Sequence, residues 1–332
     1  MVPEDFVLVY VLRRVVNLVP AFLLATFLAW AVIEAAPGDF ASQFAFDQVD
    51  PGRAERIRAT LGLDQPWYVR YLFWLRNVVT ELDFGTSMIS KGDVTTLIAP
   101  RITNSLVLLL PATILTYMIA IPIGVYSALR KYSVGDRALT VFSLLGLAIP
   151  NFFLALIGVA LAVQWFQTTG WFLLPTGGMT SLNYDRLGPV ERLLDIAWHL
   201  ILPVAVTALS GLAFTSRIMR GEMLEVLAQD YIRTARAKGL AENVVTYKHA
   251  FRNAILVIVA TIGGVLPGLI GGAGTVEFVL RWPGITPLFI NATFAQDAYV
   301  VMALLTIVTV FLMVGNLLSD LALAFIDPRI RY

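Results

Sequence analysis

Long apolar runs almost free of charge constrain this chain more than any other feature. The stretch 15–36 holds one ionisable residue, Glu34, close to its far edge. At roughly 22 residues it is long enough to cross the hydrocarbon of a bilayer as a helix. Only helices and closed barrels satisfy their backbone polar groups there. Five more such runs follow, at 102–129, 138–166, 196–216, 254–276 and 299–325. The reading is an all-α membrane protein with six transmembrane helices. Pro111 and Pro122 lie inside the second run, and Ala148-Ile149-Pro150-Asn151 is expected to kink or interrupt the third, because proline removes a backbone bond and clashes with the preceding turn.

Composition narrows the function. The chain is 58% hydrophobic and 14% charged, with a net charge of +1, so nothing points to nucleic acid as a partner. It has no cysteine and only two histidines, His199 and His249. This excludes disulfides, thiolate catalysis and a multi-histidine metal site. None of the four lysines follows a glycine, so the phosphate loop of an ATPase is missing. The middles of the runs are nearly charge-free, which disfavours a proton- or sodium-driven carrier. Ser210 with His199 has the wrong spacing for an intramembrane serine protease. No catalytic residue is expected.

Three domains are expected: 1–36 with the first span, 37–101 as a small extracytoplasmic subdomain, and 102–332 as a five-helix core carrying a polar segment at 217–253. In the subdomain, 53–58 reads as a short charged helix broken by Gly62 and Pro66. Trp67, Tyr68, Tyr71, Phe73 and Trp74 then form an aromatic amphipathic stretch. Interfacial anchoring is its leading reading, beside contact with a substrate or a partner. Six spans put both termini on one side. That side carries Arg13, Arg14, Arg130, Lys131, Arg137 and the polar segment, and the excess of lysine and arginine makes it cytoplasmic.

The polar segment is an island between two apolar runs. Asp230 can cap a short helix. Tyr231, Ile232 and Ala235 share one side of it, with Arg233 and Arg236 together elsewhere. Gly239 is a natural C-cap, and a second helix starts near Glu242 and runs through Val245, Lys248 and Phe251 toward the membrane. The result is a cationic knob suited to receiving force from a soluble partner, although an ordinary basic loop would also satisfy the charge rule. Gly264, Gly268 and Gly272, four apart in the fifth run, read as a helix-packing device. With Pro267 they also read as part of a path-lining helix that bends.

The 230–240 stretch resembles the cytoplasmic coupling segment, the EAA loop, of ABC-importer permeases of the dipeptide, oligopeptide and nickel type. The family's Glu-Ala-Ala falls on Arg233, Thr234 and Ala235, followed by Gly239. Val257 stands where such permeases usually carry proline. Leu61-Gly62-Leu63-Asp64-Gln65-Pro66 is similar to the family's first periplasmic segment, and Trp282-Pro283-Gly284 to its outer loop after the fifth helix. The ending 327–332 is also typical. The likeness is to the subunit with the large first periplasmic loop.

The resemblance implies a multi-pass permease of the bacterial inner membrane. It implies coupling through Asp230, Tyr231, Arg233, Thr234, Ala235, Arg236, Lys238 and Gly239, and a translocation path near Pro150, Asn151, Gly264, Pro267, Gly268 and Gly272. It further implies a second homologous permease subunit, two ATP-binding cassette ATPase subunits and a periplasmic or lipid-anchored solute-binding protein. Membrane lipid surrounds the assembly. ATP and magnesium would be bound by the partners, and no cofactor or metal by this chain. Peptides are the expected solute. Oligosaccharides, nickel chelates or glutathione-like solutes are alternatives within the type, and a non-transporting membrane scaffold is an alternative outside it.

Overall fold

The computed structural model describes residues 4–41, 52–268 and 273–326. Along the chain run α1 (Glu4–Ala35), α2 (Arg53–Leu61), α3 (Trp67–Glu81), α4 (Val94–Leu129), α5 (Val134–Ala148), α6 (Asn151–Thr169), α7 (Pro189–Leu227) and α8 (Asp230–Ala237). A π-helical stretch (Val244–Phe251) leads into α9 (Arg252–Thr261). Then come α10 (Gly274–Val279), α11 (Ile285–Phe294) and α12 (Ala298–Ile326). Among the described residues the only β pairing is an isolated bridge between Thr86 and Asp93. The all-α reading therefore holds.

Five of these helices contain stretches long and apolar enough to cross a membrane: Val16–Ala35, Val94–Leu129, Asn151–Thr169, Pro189–Leu227 and Ala298–Ala324. They carry the first, second, third, fourth and sixth expected spans. The third run is split rather than kinked. Ile149, pressed by Pro150, adopts extended backbone (φ −92°, ψ 120°) and ends α5, and Pro150 stands at the N-cap of α6. The fifth run is not one helix. After α9 the chain tightens into a 3₁₀ turn at Ile262–Gly264, and Gly274–Val279 forms a separate helix. Gly263, Gly264, Pro267 and Gly268 all weaken an α-helix at this point. Gly272, the last of the expected stripe, lies outside the described residues, as does the 327–332 motif.

The chain divides into two units, one of residues 1–103 with 284–313, the other of 104–283 with 314–332. In the first unit α3 packs against α1. Trp30, Tyr71, Trp74, Val78 and Met302 form its core. The Tyr71 hydroxyl lies 3.0 Å from Thr26 Oγ1, the Trp30 and Trp74 rings are 5.8 Å apart, and Arg70 pairs with Glu34 at 2.5 Å. This corrects the aromatic stretch. Tyr71 and Trp74 are buried by protein, and the outward apolar face is Tyr68, Leu72 and Phe73. The charged helix α2 ends where expected, at Gly62 in the left-handed conformation (φ 64°). Buried Asp297 accepts a bond from Ser87 Oγ at 2.6 Å and from the Ile89 N–H at 3.3 Å, pinning the 87–89 turn to the start of α12.

The second unit is held by small residues, as expected where helices gain little from leaving lipid. A Cβ on Gly146 would stand 2.9 Å from Ala213 Cβ, and one on Gly124 would stand 2.8 Å from the Ser216 carbonyl. α5 and α7 therefore meet closely, as do α4 and α7, and Ser143 and Ser216 join hydroxyls at 3.2 Å. Ala155, Leu202, Val206, Val276 and Leu280 form a second cluster, bringing together α6, α7 and α10.

Candidate functional site

The polar segment forms a helix–turn–helix seated on the second unit. α7 is 39 residues long, well past the roughly 20 that a span needs, and so carries the chain beyond the apolar region before α8 begins. Gln229, not Asp230, occupies the N-cap, and no side chain caps there. Asp230 is the first helical residue, where its carboxylate accepts from Arg233 at 3.2 Å and complements the helix dipole.

Ile232 is fully buried and Ala235 nearly so. They join Val125 and Ala128 of α4, Met219 and Met223 of α7, and Val245, Ala250, Ala254 and Ile258 beyond the turn. Tyr231 does not share that face. It is exposed, and its hydroxyl accepts from Asn253 Nδ2 at 2.7 Å. Gly239 ends the helix at φ +75°, with the Leu240 N–H reaching back to the Ala235 carbonyl and the Gly239 N–H to the Arg236 carbonyl. These are the bonds of a glycine-capped terminus.

The charged side chains separate into two sets. Arg233 is largely exposed, with a weak neighbour in Asp230. Arg236 is engaged across the turn by Glu242, 2.6 Å from Nη2 to Oε1. That contact raises the arginine's pKa and holds the glutamate below its ordinary value, through hydrogen bonding first and charge second. Thr234 donates to the Asp230 carbonyl at 3.0 Å, and Lys238 is exposed. Glu242 is the residue that sequence reasoning did not pair. The available signal was an acid six residues after an arginine across a glycine turn.

Behind the knob, Asp136 in the first turn of α5 is buried and binds Arg220 of α7 through two bonds, 2.8 and 3.0 Å. Ser127 Oγ and the Tyr132 N–H also donate to it. The Arg220 bonds come first in holding this carboxyl far below the usual range, against the opposing effect of burial. Ser133, capping α5 by accepting the Asp136 N–H, was the sequence signal for this corner.

The described path residues fall at two breaks in the backbone, Pro150–Asn151 and the turn after α9. Asn151 opens α6 and accepts from Ser210 Oγ. Ser210 is thus not paired with His199, which is buried with Nδ1 2.8 Å from the Asp195 carbonyl. A Cβ on Gly264 or Gly268 would meet nothing within 4 Å among the described residues. The close packing is instead at Gly263, where a Cβ would lie 3.1 Å from the Gly315 carbonyl and 2.9 Å from Asn316 Oδ1. Four-residue spacing marks a common face only while the helix lasts, and it stops at Thr261.

Near the far end of the same unit, Glu277 is fully buried and accepts from Ser105 Oγ at 2.5 Å. Trp282, also fully buried, donates Nε1–H to the Asn104 carbonyl at 2.8 Å, and Asn104 Nδ2 donates to the Pro283 carbonyl at 2.9 Å.

Residues 120–332 match the family described as the binding-protein-dependent transport system inner membrane component, and residues 7–97 match its N-terminal companion family. The chain belongs to this family. It is a multi-pass inner-membrane permease subunit of an ABC importer. The permease is 43% identical over 324 residues to the oligopeptide transport system permease protein AppB of Bacillus subtilis (strain 168), covering 97% of this chain and 99% of the relative. It is 35% identical over 324 residues to the probable peptide ABC transporter permease protein y4tP of Sinorhizobium fredii (strain NBRC 101917 / NGR234), covering 98% and 99%. The family matches cover both the α8 knob and the α3 region.

Proposed function

We propose that this permease moves peptides inward across the inner membrane, driven by ATP hydrolysis in partner subunits, and that α8 with Gly239 is the element through which that force arrives. The observation that carries the coupling role is the division of α8 into two faces. Ile232 and Ala235 root it in the α4–α7–α9 core, while Asp230, Arg233, Thr234 and Lys238 stand outward. A partner pushing on the polar face moves the core through the rooted face. Arg233 and Lys238 offer cations to acidic groups on an ATPase subunit, whereas Arg236 is committed to Glu242 and shapes the knob.

The peptide assignment rests on the two named relatives, which this chain matches over nearly its whole length. The rest of the assembly follows from the family: a second homologous permease, two ATPase subunits that bind ATP and magnesium, and an external solute-binding protein. The orientation rests on charge, with both termini and the 130–137 loop in the cytoplasm and 37–101 outside. The path reading rests on open space at Gly264 and Gly268 beside a broken helix, and on the interrupted backbone at Pro150 and Asn151. Irregular backbone at such depth persists where it lines a cavity or is covered by protein. A conformational change follows only if ATP closure favours one arrangement of these elements through differential contact with the knob.

The test is ATPase activity of the reconstituted complex across candidate solutes, each with the cognate binding protein. Stimulation by short peptides is expected. Stimulation only by a sugar or a metal chelate keeps the mechanism and overturns the peptide class. An assembled complex that answers no solute supports a scaffold instead.

A further inference from the structure

A cavity of about 260 Å³ opens among α4, α5 and α7, next to the Asp136–Arg220 corner. Its wall is mostly apolar, with Ile123, Leu139 and Leu144; Ser127, Ser143 and Ser216 also line it, their hydroxyls already hydrogen-bonded within the protein, as do Arg217 and Arg220. Leu139 and Leu144 continue the wall into the outward face of α5, where Val141, Phe142 and Leu145 are exposed and apolar. The site thus joins cationic side chains to a wall and a surface suited to hydrocarbon.

The charge there is unequal. Arg220 is neutralised by Asp136 at 2.8 Å. Arg217 is exposed and forms no ion pair among the described residues. Arg137 stands one turn before Thr140 on the cavity side of α5, and Arg130 one turn past Ser127 beyond α4. Both are exposed, as is Lys131. Glu222 and Glu225 lie farther along α7 and do not line the wall. A soluble anion would use the cations and leave the apolar face idle. A neutral lipid would do the reverse.

We infer that an anionic phospholipid docks here, its phosphate held by Arg217 and an acyl chain laid against the apolar cavity wall and along α5. Basic pockets between transmembrane helices on the cytoplasmic side recognise such head groups. The leaflet is cytoplasmic on the orientation proposed above, but the site depends on neither the peptide nor the coupling assignment.

The experiment is native mass spectrometry of the assembled importer, delipidated and then offered phosphatidylglycerol or phosphatidylcholine of identical chains. Wild type is expected to retain phosphatidylglycerol preferentially. Arg217→Gln should weaken that binding about fivefold, one basic group's share, and leave phosphatidylcholine unchanged. Arg252→Gln, an exposed cation outside the cavity wall, should change neither. Subunit composition in the same spectra verifies that each variant assembles. Equal retention of the two lipids overturns the proposal, as does unchanged phosphatidylglycerol binding in Arg217→Gln. Displacement of the lipid by millimolar inorganic phosphate would reassign the cavity to free anions.

Discussion

Arg236 and Glu242 face each other across the Gly239 turn at 2.6 Å, so the two arms of the knob are tied by charge as well as by their shared apolar root. Glu242→Gln removes the carboxylate and leaves Arg236 free to swing. Amide exchange should rise in 230–243, and solute-stimulated ATPase should fall while membrane insertion persists. The wild-type contact should respond to acid in one direction. Because the folded glutamate titrates below its ordinary value, the tie is present above about pH 4–5 and is lost as pH drops through the folded pKa. Coupling that varied between pH 6 and 8 through this pair would contradict the assignment.

Gly239→Val tests the turn itself. Open space surrounds that position, so the substitution meets no clash, but φ of +75° costs a β-branched residue about 1–2 kcal/mol. Assembly with the ATPase subunits, or coupling to them, should suffer, with the membrane helices still inserted. Wild-type transport in this variant would remove the knob from the mechanism.

Asp136→Asn leaves Arg220 without its carboxylate in a mostly buried corner. The loss should fall at the low end of the roughly 3–5 kcal/mol seen for broken buried pairs, because Arg220 keeps some solvent access. The sign follows from the depressed pKa: the stabilisation is complete above the unfolded carboxylate value and fades only as pH drops toward the folded one. Thermal unfolding of wild type and variant should therefore differ by a constant amount from pH 8 to about pH 5.

Gly315→Ala and Gly264→Ala separate packing from path. The first drives a methyl into the Gly263 carbonyl and should cost about 1–3 kcal/mol. The second enters open space and should leave stability unchanged or slightly improved. If Gly264→Ala, folded normally, alters solute specificity or rate, the path reading gains; if transport is untouched, Gly264 leaves the path.

Trp74→Ala and Phe73→Ala make a matched pair on α3. The buried tryptophan should cost roughly 3–5 kcal/mol, and its exposed neighbour less than about 1 kcal/mol. Equal losses would mean that α3 does not seat on α1 as described.

What the chain determines by itself is local. Runs of apolar residues must become helices because hydrocarbon offers backbone groups no other partner. Pro150 disfavours helical backbone at Ile149, where α5 ends, although α4 continues through Pro111 and Pro122, and Gly239 turns α8 because glycine accepts the left-handed conformation without strain. These features depend on a few neighbouring residues and need no knowledge of the rest. Tertiary structure decided what depends on which helices meet. Tyr71 and Trp74 carry an interfacial pattern, yet Trp30 covers them. Arg236 looks free for a partner until Glu242 is folded onto it. Gly263 rather than Gly264 takes the close contact because the helix that would align the stripe unwinds at Thr261. Asp136 and Arg220, 84 residues apart, find each other only once α5 lies against α7. Periodicity reports the face a helix can offer; the neighbour that fills it comes from elsewhere in the chain.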